Sequence, residues 1–227
     1  MIRLGVPSKG RLMEKTFDWF AARGVRLART GEAREYAGAV EGVAGVSLVL
    51  LSASEVPREL AAGHLHLGVT GQDLIEERLP LWEQQVEPLA AMGFGHADLV
   101  MAVPKGWVDV ETTDDLDAVA AQFRANHGRR LRVATKYHRL VRDFLKERGV
   151  ADYAIIDSQG ATEGTVANGA AEAVADITSS GETLRANHLK ILADGLILKS
   201  QATLWRSRVA RLEDPQALQD LMARLEL

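Results

Sequence analysis

The segment DITSSGET, residues 176–183, places two carboxylates, four hydroxyls and a glycine within eight positions. Thr178, Ser179, Ser180 and Thr183 can donate hydrogen bonds, and Gly181 lets backbone N–H groups come close to a ligand. Together they suit phosphate oxygens, with Glu182 inside the loop. Asp176, at its entrance, suits the vicinal hydroxyls of a sugar or a share in holding Mg²⁺. The same residue types also cap helices, so this loop alone fits both uses. Three further small, polar turns follow apolar runs: PSKGR (7–11), TGQD (70–73) and TKYHR (135–139). Ligands of open α/β sheets bind at the carboxyl ends of strands, and helix starts there favour anions. Lys9, Arg11, Lys136 and Arg139 add local positive charge.

Other motifs are absent or weak. No G-x-x-x-x-G-K-[ST] loop is present, and GFGHAD (93–98) precedes an apolar run instead of following one, unlike a dinucleotide fingerprint. His64 and His66 share one face of a strand read over 64–69, but no third ligand stands nearby to make them a metal site. Trp19, Trp82, Trp107 and Trp205 are irregularly spaced, which favours core positions over a base-stacking platform.

The elements that must position these loops read as α/β. Apolar runs at 2–6, 46–51, 64–69, 98–103, 131–135 and 173–177 alternate with amphipathic stretches. After the first run, Met13, Phe17, Phe20 and Ala21 define a helix face. After 131–135, Leu140, Val141, Phe144 and Leu145 define another. Residues 110–130 read as a peripheral helix, and Asp214-Pro215 opens a final one. This order predicts two α/β lobes, with the chain passing between them more than once.

Composition sets the outer bounds. With 227 residues, 47% hydrophobic, the chain can bury a core as one domain or two small lobes. It has no cysteine, which excludes disulfide frameworks and thiolate chemistry. The N-terminus has no apolar signal segment, no stretch is long enough to span a membrane, and the net charge is −4. The expectation is a cytoplasmic protein with no nucleic-acid or membrane partner.

Five ordered blocks carry a resemblance: GVPSKGRL (5–12), HLGVTGQDLIEE (66–77), GFGHADLVMAVP (93–104), LRVATKY (131–137) and GATEGTVANGAAEAVADITSSGETLRANHL (160–189). In this order they resemble the ATP phosphoribosyltransferase family, which opens histidine biosynthesis. The resemblance implies transfer of the phosphoribosyl group of phosphoribosyl pyrophosphate to N1 of ATP, with Mg²⁺ and release of pyrophosphate. It implies a two-lobed, periplasmic-binding-protein-like α/β fold with the active site in the inter-lobe cleft. Lobe I would comprise 1–95 and 185–227, and lobe II 96–184 with the phosphoribosyl pyrophosphate loop. Asp176, Thr178, Ser179, Ser180, Gly181, Glu182 and Thr183 would bind that donor. Lys9, Arg11, Gly71, Asp73, Thr135, Lys136 and Tyr137 would face ATP, and Asp176, Glu163 and Lys9 would be catalytic. Lacking a C-terminal regulatory domain, the chain is expected to be the short form: a homodimer within a hetero-oligomer containing a regulatory subunit similar to histidyl-tRNA synthetase.

Three departures from the family pattern stand out. Ser52 and Glu55 replace an arginine and an aspartate, with Arg58 lying beyond Pro57. His96 stands where an arginine is usual, and Gly164-Thr165 follow Glu163 in place of Ala-Pro. The competing reading is a non-catalytic two-lobed module for an anion or other solute.

Overall fold

A computed structural model of the chain describes residues 1–29 and 37–227. The first unit spans Met1–His96 and Gln201–Leu227, and the second Ala97–Ser200. Lobe I was expected to resume at residue 185. The return falls after Ser200 instead, because one long strand, Leu189–Ser200, pairs antiparallel with Ala97–Pro104 and so belongs wholly to the second unit.

The first unit opens with β1 (Ile2–Pro7), α1 (Gly10–Ala21), β2 (Arg26–Arg29), β3 (Ala37–Glu41), β4 (Val46–Leu51) and α2 (Val56–Ala61). It continues through β5 (Leu67–Gly71), α3 (Gln72–Arg78), α4 (Trp82–Gln85) and β6 (Val86–Ala91). The second unit holds β7 (Ala97–Pro104), α5 (Thr113–His127), β8 (Leu131–Thr135), α6 (His138–Glu147) and β9 (Tyr153–Asp157). It is completed by α7 (Gly164–Ala167), β10 (Ala173–Thr178), α8 (Glu182–Ala186) and β11 (Leu189–Ser200). The chain then returns to the first unit as β12 (Ala202–Ser207) and α9 (Pro215–Leu225).

In the first unit the strand order is β2-β3-β4-β1-β5-β12-β6, with β1 parallel to both β4 and β5. Side chains alternate across a strand, so Ile2, Leu4 and Val6 fill one face with Phe20 of α1 and Leu218 and Leu221 of α9. The opposite face packs Val56, Leu60, Leu65, Ile75 and Trp205. Gly5 points to that second face, where a methyl group would stand 2.4 Å from Leu65 Cδ1, so only glycine allows this approach without a shift. Trp205 is fully buried, edge-on to Trp82.

The second unit has the order β11-β7-β10-β8-β9, with β10, β8 and β9 mutually parallel and β7 antiparallel to β10. Ala173 and Ala175 face a core with Leu99, Val133, Val141 and Leu145. Val174 faces the other, with Ala134 and Leu184. A sheet covered on both sides explains why residues 131–135 and 173–177 read as unbroken apolar runs.

Two details differ from the sequence reading. In α1 the buried side chains are Thr16, Trp19 and Phe20, while Met13 and Phe17 are partly covered and Ala21 is exposed. β5 begins at Leu67, not at residue 64. His64 pairs with Glu59 at 2.9 Å, and His66 Nδ1 accepts from the Arg3 N–H at 3.0 Å. Both histidines are structural. Among the described residues no helix is long and apolar enough to cross a membrane.

Candidate active site

In the second unit the site grows out of register. Parallel pairing sets Val174 beside Ala134. Two residues on, along the same face of each strand, Asp176 falls beside Lys136. Lys136 Nζ stands 4.0 Å from Asp176 Oδ1. The side of the sheet where Val174 and Ala134 pack thus ends in an ion pair, and the Asp176 side chain is 16% exposed. Burial pushes its carboxyl above the usual aspartate range. The Ile177 N–H at 2.8 Å, the Lys136 ammonium and a hydrogen bond with Thr162 act the other way, while the charge of Glu163 adds to the rise. Asp176, Lys136, Thr162 and Glu163 therefore form one coupled cluster at the carboxyl edge of the sheet.

The loop after β10 is built for close approach. Gly181 has φ +71°, a left-handed conformation that side chains disfavour. Thr178 Oγ1 accepts from the Gly181 N–H at 2.7 Å, and Ser180 Oγ accepts from the Glu182 N–H at 3.3 Å. These two hydroxyls thus shape the turn. The Ser179 and Thr183 hydroxyls have no hydrogen-bond partner among the described residues, and both residues are exposed. Glu182 is exposed too.

The turn after β8 divides its labour. Thr135 is buried and its Oγ1 accepts from the Tyr137 N–H at 3.0 Å, while the Tyr137 ring lies in the core among Val133, Val141 and Leu145. Of these three residues only Lys136 carries a side chain that reaches toward the edge. Next to it, His138 Nε2 stands 2.8 Å from Asp157 Oδ1 at the end of β9, and the Ser158 N–H donates to Thr135 O. The sequence reading missed Thr162, Ser158 and Asp157. Their signal was present: YAIID followed by SQGAT is another apolar run ending in an acid and small polar residues.

The first unit presents its own polar edge, where parallel β1 and β5 end. Lys9 is the extended residue before α1, Gly10 follows at φ +71°, and the first turn of α1 contains no acid. Lys9 and Arg11 are exposed, and Arg29 donates to Ser8 O, tying β2 to this turn. Gly71 precedes α3, whose first-turn Asp73 is buried. Ser52 N–H donates to Glu55 Oε2 at 2.9 Å, while Arg58 pairs with Glu59 at 3.0 Å.

The family model described as HisG: ATP phosphoribosyltransferase matches residues 52–227. The chain is 70% identical over 209 residues to an ATP phosphoribosyltransferase of Cereibacter sphaeroides, covering 92% of this chain and 89% of that relative. It is 49% identical over 227 residues to one of Mesorhizobium japonicum, covering 99% and 98%. Among solved structures, the ATP phosphoribosyl transferase (HisG:HisZ) complex from Thermotoga maritima is similar, with a TM-score of 0.74 at 22% identity over 100% of this chain and 97% of that one. ArgBP from the same organism has a TM-score of 0.53 at 15% identity over 99% and 87%, which places the fold in the periplasmic-binding-protein-like class. With the family's blocks lying at the strand ends just described, the chain belongs to the ATP phosphoribosyltransferase family and catalyses the first step of histidine biosynthesis.

Proposed function

We propose that the two sets of strand-end residues divide the substrates of this reaction. The loop 176–183 takes phosphoribosyl pyrophosphate, and Lys9, Arg11 and Lys136 serve the nucleotide phosphates. The observation that carries this reading is Asp176, a half-buried carboxylate clustered with Lys136, Thr162 and Glu163 at the mouth of a hydroxyl loop. Withdrawing a charge from water costs stability, so a half-buried carboxylate whose pKa is raised by that burial points to use. Displacement at the anomeric carbon builds positive charge on the ribose and negative charge on the departing pyrophosphate. Asp176 and Glu163 stabilise the first, and a bound Mg²⁺ would offset the second. Adenine N1 carries its own lone pair, so no strong base is needed to activate it.

Mg²⁺ fits these residues. Among the described residues no group of three or more His, Cys, Asp or Glu side chains could cage a metal ion. Mg²⁺ is commonly held by one or two carboxylates together with substrate phosphates, and Asp176 and Glu163 would be the protein's share. When bound, the ion neutralises charge on the pyrophosphate. The likeness to the HisG:HisZ complex supports a further reading, that this chain works as a homodimer within a hetero-oligomer containing a regulatory subunit similar to histidyl-tRNA synthetase.

Steady-state kinetics test the division of substrates. The near-ultraviolet change on adenine N1-ribosylation is followed with Mg²⁺ and pyrophosphatase, in the presence of the regulatory subunit. Lys9→Ala is expected to raise KM for ATP about tenfold, and Ser179→Ala/Thr183→Ala to raise KM for phosphoribosyl pyrophosphate by a similar factor. The opposite pattern, or no effect from either, would remove the assignment.

A further inference from the structure

Residues 179–183 offer a phosphate many neutral donors but little positive charge. Their one ionisable side chain is the carboxylate of Glu182, with Asp176 just before them. The cation at the loop's entrance, Lys136, already stands against Asp176. A phosphate ester carrying up to two negative charges would be poorly balanced here by hydroxyls and N–H groups alone.

The surroundings of Gly181 supply the missing charge. A methyl group built on Gly181 would stand 2.9 Å from Nη1 of Arg185 and 3.8 Å from its Cζ, with Ile191 Cδ1 at 3.6 Å. The guanidinium therefore folds back over the loop from one helical turn further on, the direction in which helical side chains lean. Arg185 remains exposed, and among the described residues no carboxylate pairs with it, not even Glu182 three residues away. Arg129, Arg132, Arg139 and Arg148 of the same unit all pair with acids. Gly181 adopts the left-handed turn, and the Arg185 guanidinium lies against it.

Resting on the assignment of this loop to the phosphoribosyl donor, we propose that Arg185 is a substrate-binding residue whose planar fork closes on the phosphate held by residues 179–183. A guanidinium gives paired, charge-assisted hydrogen bonds to phosphate, whereas an ammonium gives a point charge. Selectivity for the donor over ATP then depends on Arg185 in the second unit as well as on the loop hydroxyls.

Calorimetric titration of phosphoribosyl pyrophosphate with Mg²⁺ into the full chain tests this without requiring turnover. Arg185→Ala is expected to weaken donor binding about ten- to a hundredfold and leave ATP binding unchanged. Arg185→Lys is expected to recover part of the loss. Wild-type donor affinity in Arg185→Ala, with Ser179→Ala/Thr183→Ala weakened, overturns the role of Arg185 and leaves the loop assignment standing. Wild-type affinity in both sets overturns both. A loss confined to ATP also overturns the proposal, by giving the guanidinium to the other substrate.

Discussion

Asp176 sits two residues beyond Val174 on the same side of β10, where Val174 packs against Ala134 and, from α8, Leu184. Its folded-state pKa is raised above the unfolded value, chiefly by burial. The sign of the linkage follows: the favourable share is present below the ordinary aspartate range and is lost as pH rises through the raised folded value. At neutral pH the ionised group therefore lowers stability relative to a neutral isostere. Asp176→Asn is expected to melt no lower than the parent at neutral pH and a few degrees higher if the strand row relaxes around it. A variant melting several degrees lower would show that the carboxylate holds the fold together. At Gly181, φ +71° makes even alanine strained, by about 1 kcal/mol, and its methyl group would crowd the Arg185 fork. Gly181→Ala should then lower both the melting temperature and donor affinity, read by thermal scanning and titration. The turn at 178–183 was legible in the sequence because its glycine and hydroxyls mark it. The nearness of Thr162 to Asp176 and of Arg185 to Gly181 was not, since both arise through space.

At the scale of elements, the amino-terminal ends of β8 and β10 are fastened by Glu172. Its carboxylate accepts from Arg132 at 2.7 Å, from Arg129 at 3.2 Å and from the Arg132 N–H at 2.8 Å. Burial opposes ionisation here, yet these bonds prevail and hold its pKa at about 2. A depressed carboxylate contributes stability above the ordinary glutamate range, and that share is lost as pH falls toward 2. Glu172→Gln is expected to cost about 2 kcal/mol in neutral denaturant melts, with the difference from the parent shrinking in acid. Equal stability at neutral pH would show that the arginines find other partners. At α5, Thr112 and Asp115 form a reciprocal cap, so Thr112→Ala should cost about 1 kcal/mol in the same melts. Elements buried on both faces, such as β8 and β10, were readable as apolar runs. β5 was read three residues early because His64 and His66 mimic strand alternation while bonding to Glu59 and Arg3. β11 was missed as a strand of the second sheet because its exposed positions and two register breaks hide the period.

Across the whole molecule, a chain of net charge −4 places Lys9 and Arg11 at the end of one strand and Lys136 at the end of another, each at the start of a helix. Each unit repeats one device: parallel strands deliver a small polar turn, and a lysine stands beside it. This is why the family blocks fall on the strand ends, and why alternation gave the α/β class, and with the resemblance the two lobes, but not the return after Ser200. Strand pairing, not composition, decides which sheet owns residues 189–200. The central claim is that the half-buried carboxylate of Asp176 is kept for catalysis at the expense of stability. The measurement that tests it most directly is the single-turnover rate of N1-ribosylation by Asp176→Asn, with ATP, phosphoribosyl pyrophosphate and Mg²⁺ present, read beside the parent chain under the same conditions. A folded variant with its rate reduced at least a hundredfold is the predicted result. A folded variant turning over at the parent rate would contradict it and return Asp176 to a purely structural place.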